Sequence, residues 1–590
     1  MKKTSYIIIF CLVVLFGCKD EFLNQPPLDR LTESTVWNDR ALMDAYFFQI
    51  YENMPWDYLQ DFGGGAGFGA QRDALSDLAM STYSWTPANN SIRSGNWGTS
   101  TNSWPMDWWG YFNVWKINYA IENLENIAAG VLTEEELNNR LGEMYFLRAF
   151  SYFEMVKRYG GVPIILEAQD PTETPEEELF PARNTEREVY DQVLLDLEKA
   201  FDRLPFRWSS ERGRAPKWAA KALTSRAALY AASIAKYGTL AQDGLVGIPA
   251  SEADAYYSIS LEASAEIINQ GGYALFDNYD DKSENYARLF LDEAGIEAIF
   301  TKIWLPFEKG HSYDLYNTPY SYRVDWGSSM SPSKQLIDSY EMINTGLLPT
   351  EPGSGYDSRA PFEGRDPRFK GTLLTNNDSF QGSGIETWYG TERNGVLDTA
   401  PSTGVGKDGM GVHPDATKTG VYVRKYLSDG SNPLFVQQYY SGQDCMIFRL
   451  GEIYLNAAEA AFELGQEGIA RNYIEPIRAR AGLTQNVRLD TYAGAALRDR
   501  IRNERKIELA FEDQRYWDSR RWRTAENDFS VQIQGIRSLR HIDDLGAVTF
   551  TYEIIDAETT PMSFDSRHYY LPIGQARRSN NSKLLENPGY

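Results

Sequence analysis

Aromatic side chains crowd two polar stretches of this chain. Tyr83, Trp85, Trp97, Trp104, Trp108, Trp109, Tyr111 and Trp115 form the first group. Trp304, Tyr313, Tyr316, Tyr320, Tyr322 and Trp326 form the second, with Arg323 among them. An indole in a polar loop offers a flat apolar face, and its N–H keeps a polar handle. The CH-rich face of a pyranose stacks on such a surface. Neighbouring amides such as Asn89, Asn90 and Asn96 suit sugar hydroxyls. Trp85, Trp97 and Trp104 lie among Ser, Asn, Gly, Thr and Pro, where a sugar platform and simple pinning of a loop both fit. Trp108 to Trp115 lead into a helix ending near Ile127 and are expected to pack in the core. Arg72, Asp73, Asp77 and Arg93 are candidate polar contacts. Arg72 and Arg93 would matter for an acidic glycan, since a guanidinium grips a carboxylate with two hydrogen bonds.

Other motifs carry less chemistry. Glu504 to Trp522 is dense in charge, including Glu504, Arg505, Glu508, Glu512, Arg515, Asp518 and Arg521. Paired carboxylates there could serve as acid and base. The favoured reading is structural, a helix whose acids and arginines lock neighbouring hairpins together. Gly63 to Gly69 lacks the GxxxxGK[ST] spacing of a phosphate loop. The four histidines are scattered, and none has a zinc-site spacing. No cofactor and no metal are expected.

Cys18 decides the address. Lys2 and Lys3 precede an apolar run from Tyr6 to Phe16, which reads as a secretory signal peptide. The run is shorter than the roughly 20 residues that span a bilayer. Leu15-Phe16-Gly17-Cys18 is similar to a bacterial lipobox, which implies cleavage before Cys18 and lipid on its thiol. Each buried acyl CH2 contributes about 0.8 kcal/mol, so several chains anchor durably. Lys19-Asp20-Glu21 resembles the surface-export signal of Bacteroidetes lipoproteins. The plain alternative is a signal peptide or N-terminal anchor with an incidental cysteine. The expected organisation is a signal peptide over residues 1–17, a lipidated tether over 18–33 and one domain over 34–590.

The formal net charge is −24 over 590 residues, and losing Lys2 and Lys3 with the signal leaves −26. Such a field repels phosphate backbones, so nucleic acid is not an expected partner. Cys11 leaves with the signal, and Cys18 carries lipid in this reading. Only Cys445 then remains, so no disulfide framework is expected.

Helical periodicity must supply the elements that position these groups. Apolar residues recur at spacings of three and four over Ser34–Met54, Leu141–Tyr159, Glu186–Leu204, Lys217–Tyr237, Ala253–Asn269, Ile447–Leu464 and Gly468–Ala481. Ala-rich helices in neighbouring pairs suit stacked tetratricopeptide-like hairpins. Between them lie long stretches, roughly 57–107, 305–330, 344–440 and 524–568, that read as loops. Their aromatic content argues against disorder.

Six ordered segments then resemble one family. They are Leu147–Pro163, Gly213–Leu223, Asp366–Phe369, Arg449–Ala460, Ile477–Leu483 and Glu504–Trp522, and the chain ends Asn587-Pro588-Gly589-Tyr590. Together they resemble the SusD/RagB family of Bacteroidetes outer-membrane lipoproteins over nearly the whole length. Pro216 departs from a common Thr, and Gln514 from a common His or Gly. The resemblance implies a mainly α fold, with about four tetratricopeptide-like hairpins and a loop-rich part carrying the ligand site. It implies glycan capture at the outer cell surface and delivery to a SusC-like TonB-dependent transporter. It points within the aromatic groups to Trp85, Trp97, Tyr320 and Trp326, with Arg72, Asp77 and Arg93 as polar candidates. Peptide uptake within the same family stays open. So does a helical glycoside hydrolase or lyase, which would need two carboxylates about 5–10 Å apart in a cleft.

Overall fold

A computed structural model describes residues 33–55, 72–86, 92–95, 98–99, 106–127, 130–209, 211–293, 295–430, 439–558 and 561–590. Cys18, Trp97, Trp104, Asn89, Asn90, Asn96 and Gly63 to Gly69 lie outside these residues.

The helices of the scaffold are α1 (Glu33–Trp37), α2 (Arg40–Glu52), α3 (Tyr111–Glu125), α4 (Glu134–Tyr159), α5 (Glu186–Arg203), α6 (Lys217–Tyr237) and α7 (Ala253–Gln270). After them come α8 (Leu450–Glu463), α9 (Glu467–Arg480), α10 (Gly494–Glu508) and α11 (Arg515–Arg521). Each of α3 to α8 packs on the next in sequence, and α10 packs on α8. The pairs α2/α3, α4/α5, α6/α7 and α8/α9 therefore stack as tetratricopeptide-like hairpins.

Local chemistry explains the boundaries. Thr133 and Glu136 close a capping box at the start of α4, and Thr185 and Glu188 do the same for α5. In α6, Ala219, Ala222, Ala227 and Ala231 are buried, so neighbouring helices approach closely. There Ser225 and Ser264 exchange a 2.8 Å hydroxyl hydrogen bond. Pro216 sits immediately before the helix with an extended backbone, where its missing N–H leaves no hydrogen bond unmade. One buried apolar cluster runs from Trp37 to Leu584.

Three expectations are corrected. The helix expected over Ser34–Met54 is two helices, because Asp39 Oδ1 accepts from Ala41 N at 2.9 Å and Leu42 N at 3.1 Å and starts a new one. The helix expected from Ile447 begins at Leu450, because Cys445–Arg449 pairs as a strand with Ala298–Lys302. The stretch 524–568 is not all loop. It holds a hairpin of two nine-residue strands, Gln534–Ile542 and Val548–Asp556. Gln534–Ile542 also runs parallel to Gly390–Arg393, which pairs with Val396–Asp398 to make four strands. The alternation of Thr549, Thr551 and Glu553 with Phe550 and Tyr552 was the available strand signal.

Candidate functional site

A short antiparallel pair brings the two aromatic groups together. Strand β1 (Ala79–Ser81) lies against β2 (Met330–Pro332), with Ala79 opposite Pro332 and Ser81 opposite Met330. The chain leaving β1 therefore runs beside the chain entering β2. Thr82 N donates to Ser329 O at 2.8 Å, and the Tyr83 hydroxyl donates to Gly327 O at 2.5 Å. Ser328, buried at this junction, has a φ of +60°, a left-handed conformation that only surrounding packing holds in a serine.

Three rings meet there. Tyr83 stacks on Trp85 with centroids 5.8 Å apart and planes 26° apart. Trp326 meets both edge-on, 5.7 Å from Tyr83 and 6.2 Å from Trp85. Tyr83 is buried, and Trp326 is half-buried against Leu315 and Tyr316. Trp85 keeps 47% of its surface exposed. The indole is thus braced from below and open above. Burial is the main reason the Tyr83 hydroxyl holds its proton more tightly than usual, and the Asp415 charge adds to it.

The same loop carries Tyr320, half-buried and stacked on His413 at 5.3 Å and 23°. The Arg323 guanidinium lies 4.3 Å over the Tyr320 ring and donates to its hydroxyl at 3.0 Å. His413 in turn accepts from Asp415 N through Nδ1 at 3.1 Å, so Arg323 and Asp415 flank the Tyr320 ring and its partner. His413 and Asp415 had no signal in the sequence, since nothing about their spacing ties them to residue 320.

Arg72, Asp77 and Arg93 are placed elsewhere. Arg72 makes a two-pronged pair with Asp513, both contacts at 2.6 Å. Asp77 accepts from Arg515 at 2.8 and 3.0 Å and pairs with Lys506 at 2.9 Å. Those two cations hold the Asp77 carboxyl well below its usual range despite full burial. Arg93 donates to Glu558 at 2.8 Å and to Ala74 O at 2.9 Å. All three are internal: Arg72 and Asp77 anchor the segment leading to Trp85 onto the C-terminal motif, and Arg93 joins Ala74 to Glu558 beyond it. Trp108 and Trp109 pack against the core as expected, whereas Trp115 is 40% exposed.

The charged motif is a closed lattice. Arg449 reaches Glu297 and Glu508 at 2.8 Å and Glu512 at 2.7 Å. Arg368 holds Asp366 and Glu504 at 2.6 Å and Glu508 at 2.8 Å. Arg478 joins Glu341 and Glu504, both at 2.7 Å. Arg505 and Arg521 share Asp518 at 2.7 and 2.9 Å. Burial opposes ionisation of Glu508, but Arg480, Arg449 and Arg368 overcome it and hold its pKa far below the usual carboxylate range. These carboxylates are buried and matched to cations, which is the structural reading of the motif.

Comparison with known proteins agrees with this architecture. A model described as SusD family matches residues 297–590. A second, described as starch-binding associating with outer membrane, matches residues 21–229. A SusD-like protein of Bacteroides ovatus is 22% identical, covering 88% of this chain and 82% of that one. The crystal structure of a SusD-like protein from Bacteroides fragilis superposes with a TM-score of 0.72 at 26% identity, covering 96% of this chain and all of that one. A SusD-like carbohydrate binding protein from the same species gives 0.70 at 22%, covering 93% and 100%. The hairpin array, the buried arginine–carboxylate motif and the two family models converge: this chain belongs to the SusD/RagB family.

Proposed function

We propose that the protein captures a glycan on the Trp85–Trp326 platform and delivers it to a SusC-like TonB-dependent transporter, without chemical change to the glycan. The observation that carries this reading is the braced, open indole of Trp85. The loop of Trp326 adds a stacked Tyr320, flanked by charges of both signs at Arg323 and Asp415. Stacking on ring CH groups with hydrogen bonds at the rim is sugar-binding chemistry. The carbohydrate-binding description of the Bacteroides fragilis relative supports the ligand class. Trp97 remains a candidate for the same platform. The polar role falls to Arg323 and Asp415, because Arg72, Asp77 and Arg93 are engaged in internal contacts.

In this reading Cys18 carries the lipid, and the protein sits at the outer surface of the outer membrane. The description of the family model matching residues 21–229 supports the outer membrane.

The test is isothermal titration against neutral and acidic polysaccharides, with Trp85→Ala and Trp326→Ala beside the parent chain. Saturable heat that either substitution weakens supports the site. Unchanged binding in both variants rules the platform out, and new reducing ends or unsaturated products rule out simple capture.

A further inference from the structure

A second aromatic face lies on α3. Phe112, Trp115 and Tyr119 follow at spacings of three and four along one stripe, with Phe112 and Trp115 exposed and Tyr119 half-buried against the core. Phe112 is 69% exposed. Trp115 stacks on Tyr119 with centroids 5.2 Å apart and planes 8° apart, and donates its indole N–H to Gln169 O at 2.9 Å. Lys116 holds its ammonium 4.5 Å over the Phe112 ring. The segment from Tyr111 to Ala120 contains this lysine and no acid, in a chain whose net charge is −24.

This face adjoins the start of the described chain. Trp37, at the end of α1, packs edge-on against Tyr119 at 5.9 Å. Cys18 precedes Glu33 by fifteen residues, and a chain of that length reaches about 50 Å when extended. We propose that the Phe112–Trp115–Tyr119 face rests against the headgroup region of the bilayer that holds the Cys18 lipid. The proposal rests on the lipidation reading above. Phe without a polar handle suits acyl chains, Trp and Tyr suit the interface, and a lysine reaches anionic headgroups. Leu545 is more exposed, at 94%, but follows Asp543 and Asp544.

The experiment uses the mature, lipidated protein in vesicles of phosphatidylethanolamine and phosphatidylglycerol. Phe112→Cys and, as control, Leu545→Cys are labelled with an environment-sensitive fluorophore, since Cys445 is buried. Nitroxide-bearing lipid is expected to quench the label at 112 at least about twofold more than the label at 545. Vesicles that float with the protein but quench both labels equally overturn the proposal and leave the anchor intact. Failure to float overturns both readings. A blue shift at 112 without lipid quenching, in native outer-membrane vesicles, would assign the face to a protein partner and overturn the lipid assignment.

Discussion

The C-terminal motif and the aromatic platform invert the usual distribution of residue types. In the motif, Arg449, Arg368, Arg478 and Glu508 are at most 1% exposed, while on the platform Trp85 is 47% exposed. Charge is inside because Arg449 and Arg368 each meet three carboxylates and Arg478 meets two, so these buried ions are matched. Aromatic surface is outside because its neighbours brace it without covering it. The contrast separates two jobs. A closed ionic lattice fixes hairpins in register, whereas the ring platform keeps aromatic surface exposed, as the proposed capture of a glycan requires. Arg515, Lys506 and Asp77 join the two regions, carrying rigidity from the motif to the segment bearing Trp85.

Breaking the lattice should have the largest effect. Arg449→Met removes the one cation shared by Glu297, Glu508 and Glu512, leaves excess buried negative charge on Arg480, Arg368 and Lys425, and is expected to destabilise the fold by about 3–5 kcal/mol. Urea unfolding measures it, and a loss under 1 kcal/mol would mean that the lattice is not a unit. On the platform the expectation reverses. Trp85→Ala should weaken glycan binding by about tenfold or more while changing stability by less than about 0.5 kcal/mol. A drop in melting temperature without loss of binding would make Trp85 a packing residue and dissolve the contrast.

The acid response sharpens it. His311 is fully buried near the second aromatic group, its Nδ1 accepting from Tyr313 N at 3.1 Å. Burial pushes its pKa down to about 3. The folded value lies below the unfolded one, so the unfolded chain takes up the proton first. The contribution to stability is present above pH 6.5 and is lost as pH falls from there toward 3, at about 1.4 kcal/mol per unit. His311→Gln should flatten that slope in unfolding measured between pH 6.5 and 4. Asp73 has the opposite sign. Burial, and then the Asp513 charge, raise its pKa to about 7. Its stabilising effect is full below pH 3.8 and declines as pH rises through 7. Asp73→Asn should therefore gain stability relative to the parent at pH 8 compared with pH 5, by up to about 2.7 kcal/mol, the two units between pH 5 and 7 at about 1.4 kcal/mol each. An equal difference at both pH values would remove Asp73 from the account.

Much of the scaffold was readable in advance. The seven periodic segments are all helical over most of their length, because a core-facing stripe must repeat every 3.6 residues wherever the helix sits. Their errors fall at ends, where one Asp39 side chain or one strand pairing decides the boundary. The platform was half readable. Trp85 and Trp326 stood out as indoles in polar loops, but the same composition also favoured Arg72, Asp77 and Arg93 as ligand contacts. Their partners lie more than 400 residues away in the chain, at Asp513, Arg515 and Glu558, and no local pattern announces such pairs. Trp115 failed in the other direction. Its helix face was taken for core, and the structure leaves it outside.

Sequence alone determined the helices, the signal-like N-terminus with its lipobox-like Cys18, the acidic charge and the ordered motifs of the family, because each is a property of neighbouring residues. Tertiary structure alone decided which aromatics face solvent and which charges are consumed. Both depend on contacts between segments such as β1 and β2, which lie some 250 residues apart and meet only when the hairpins stack.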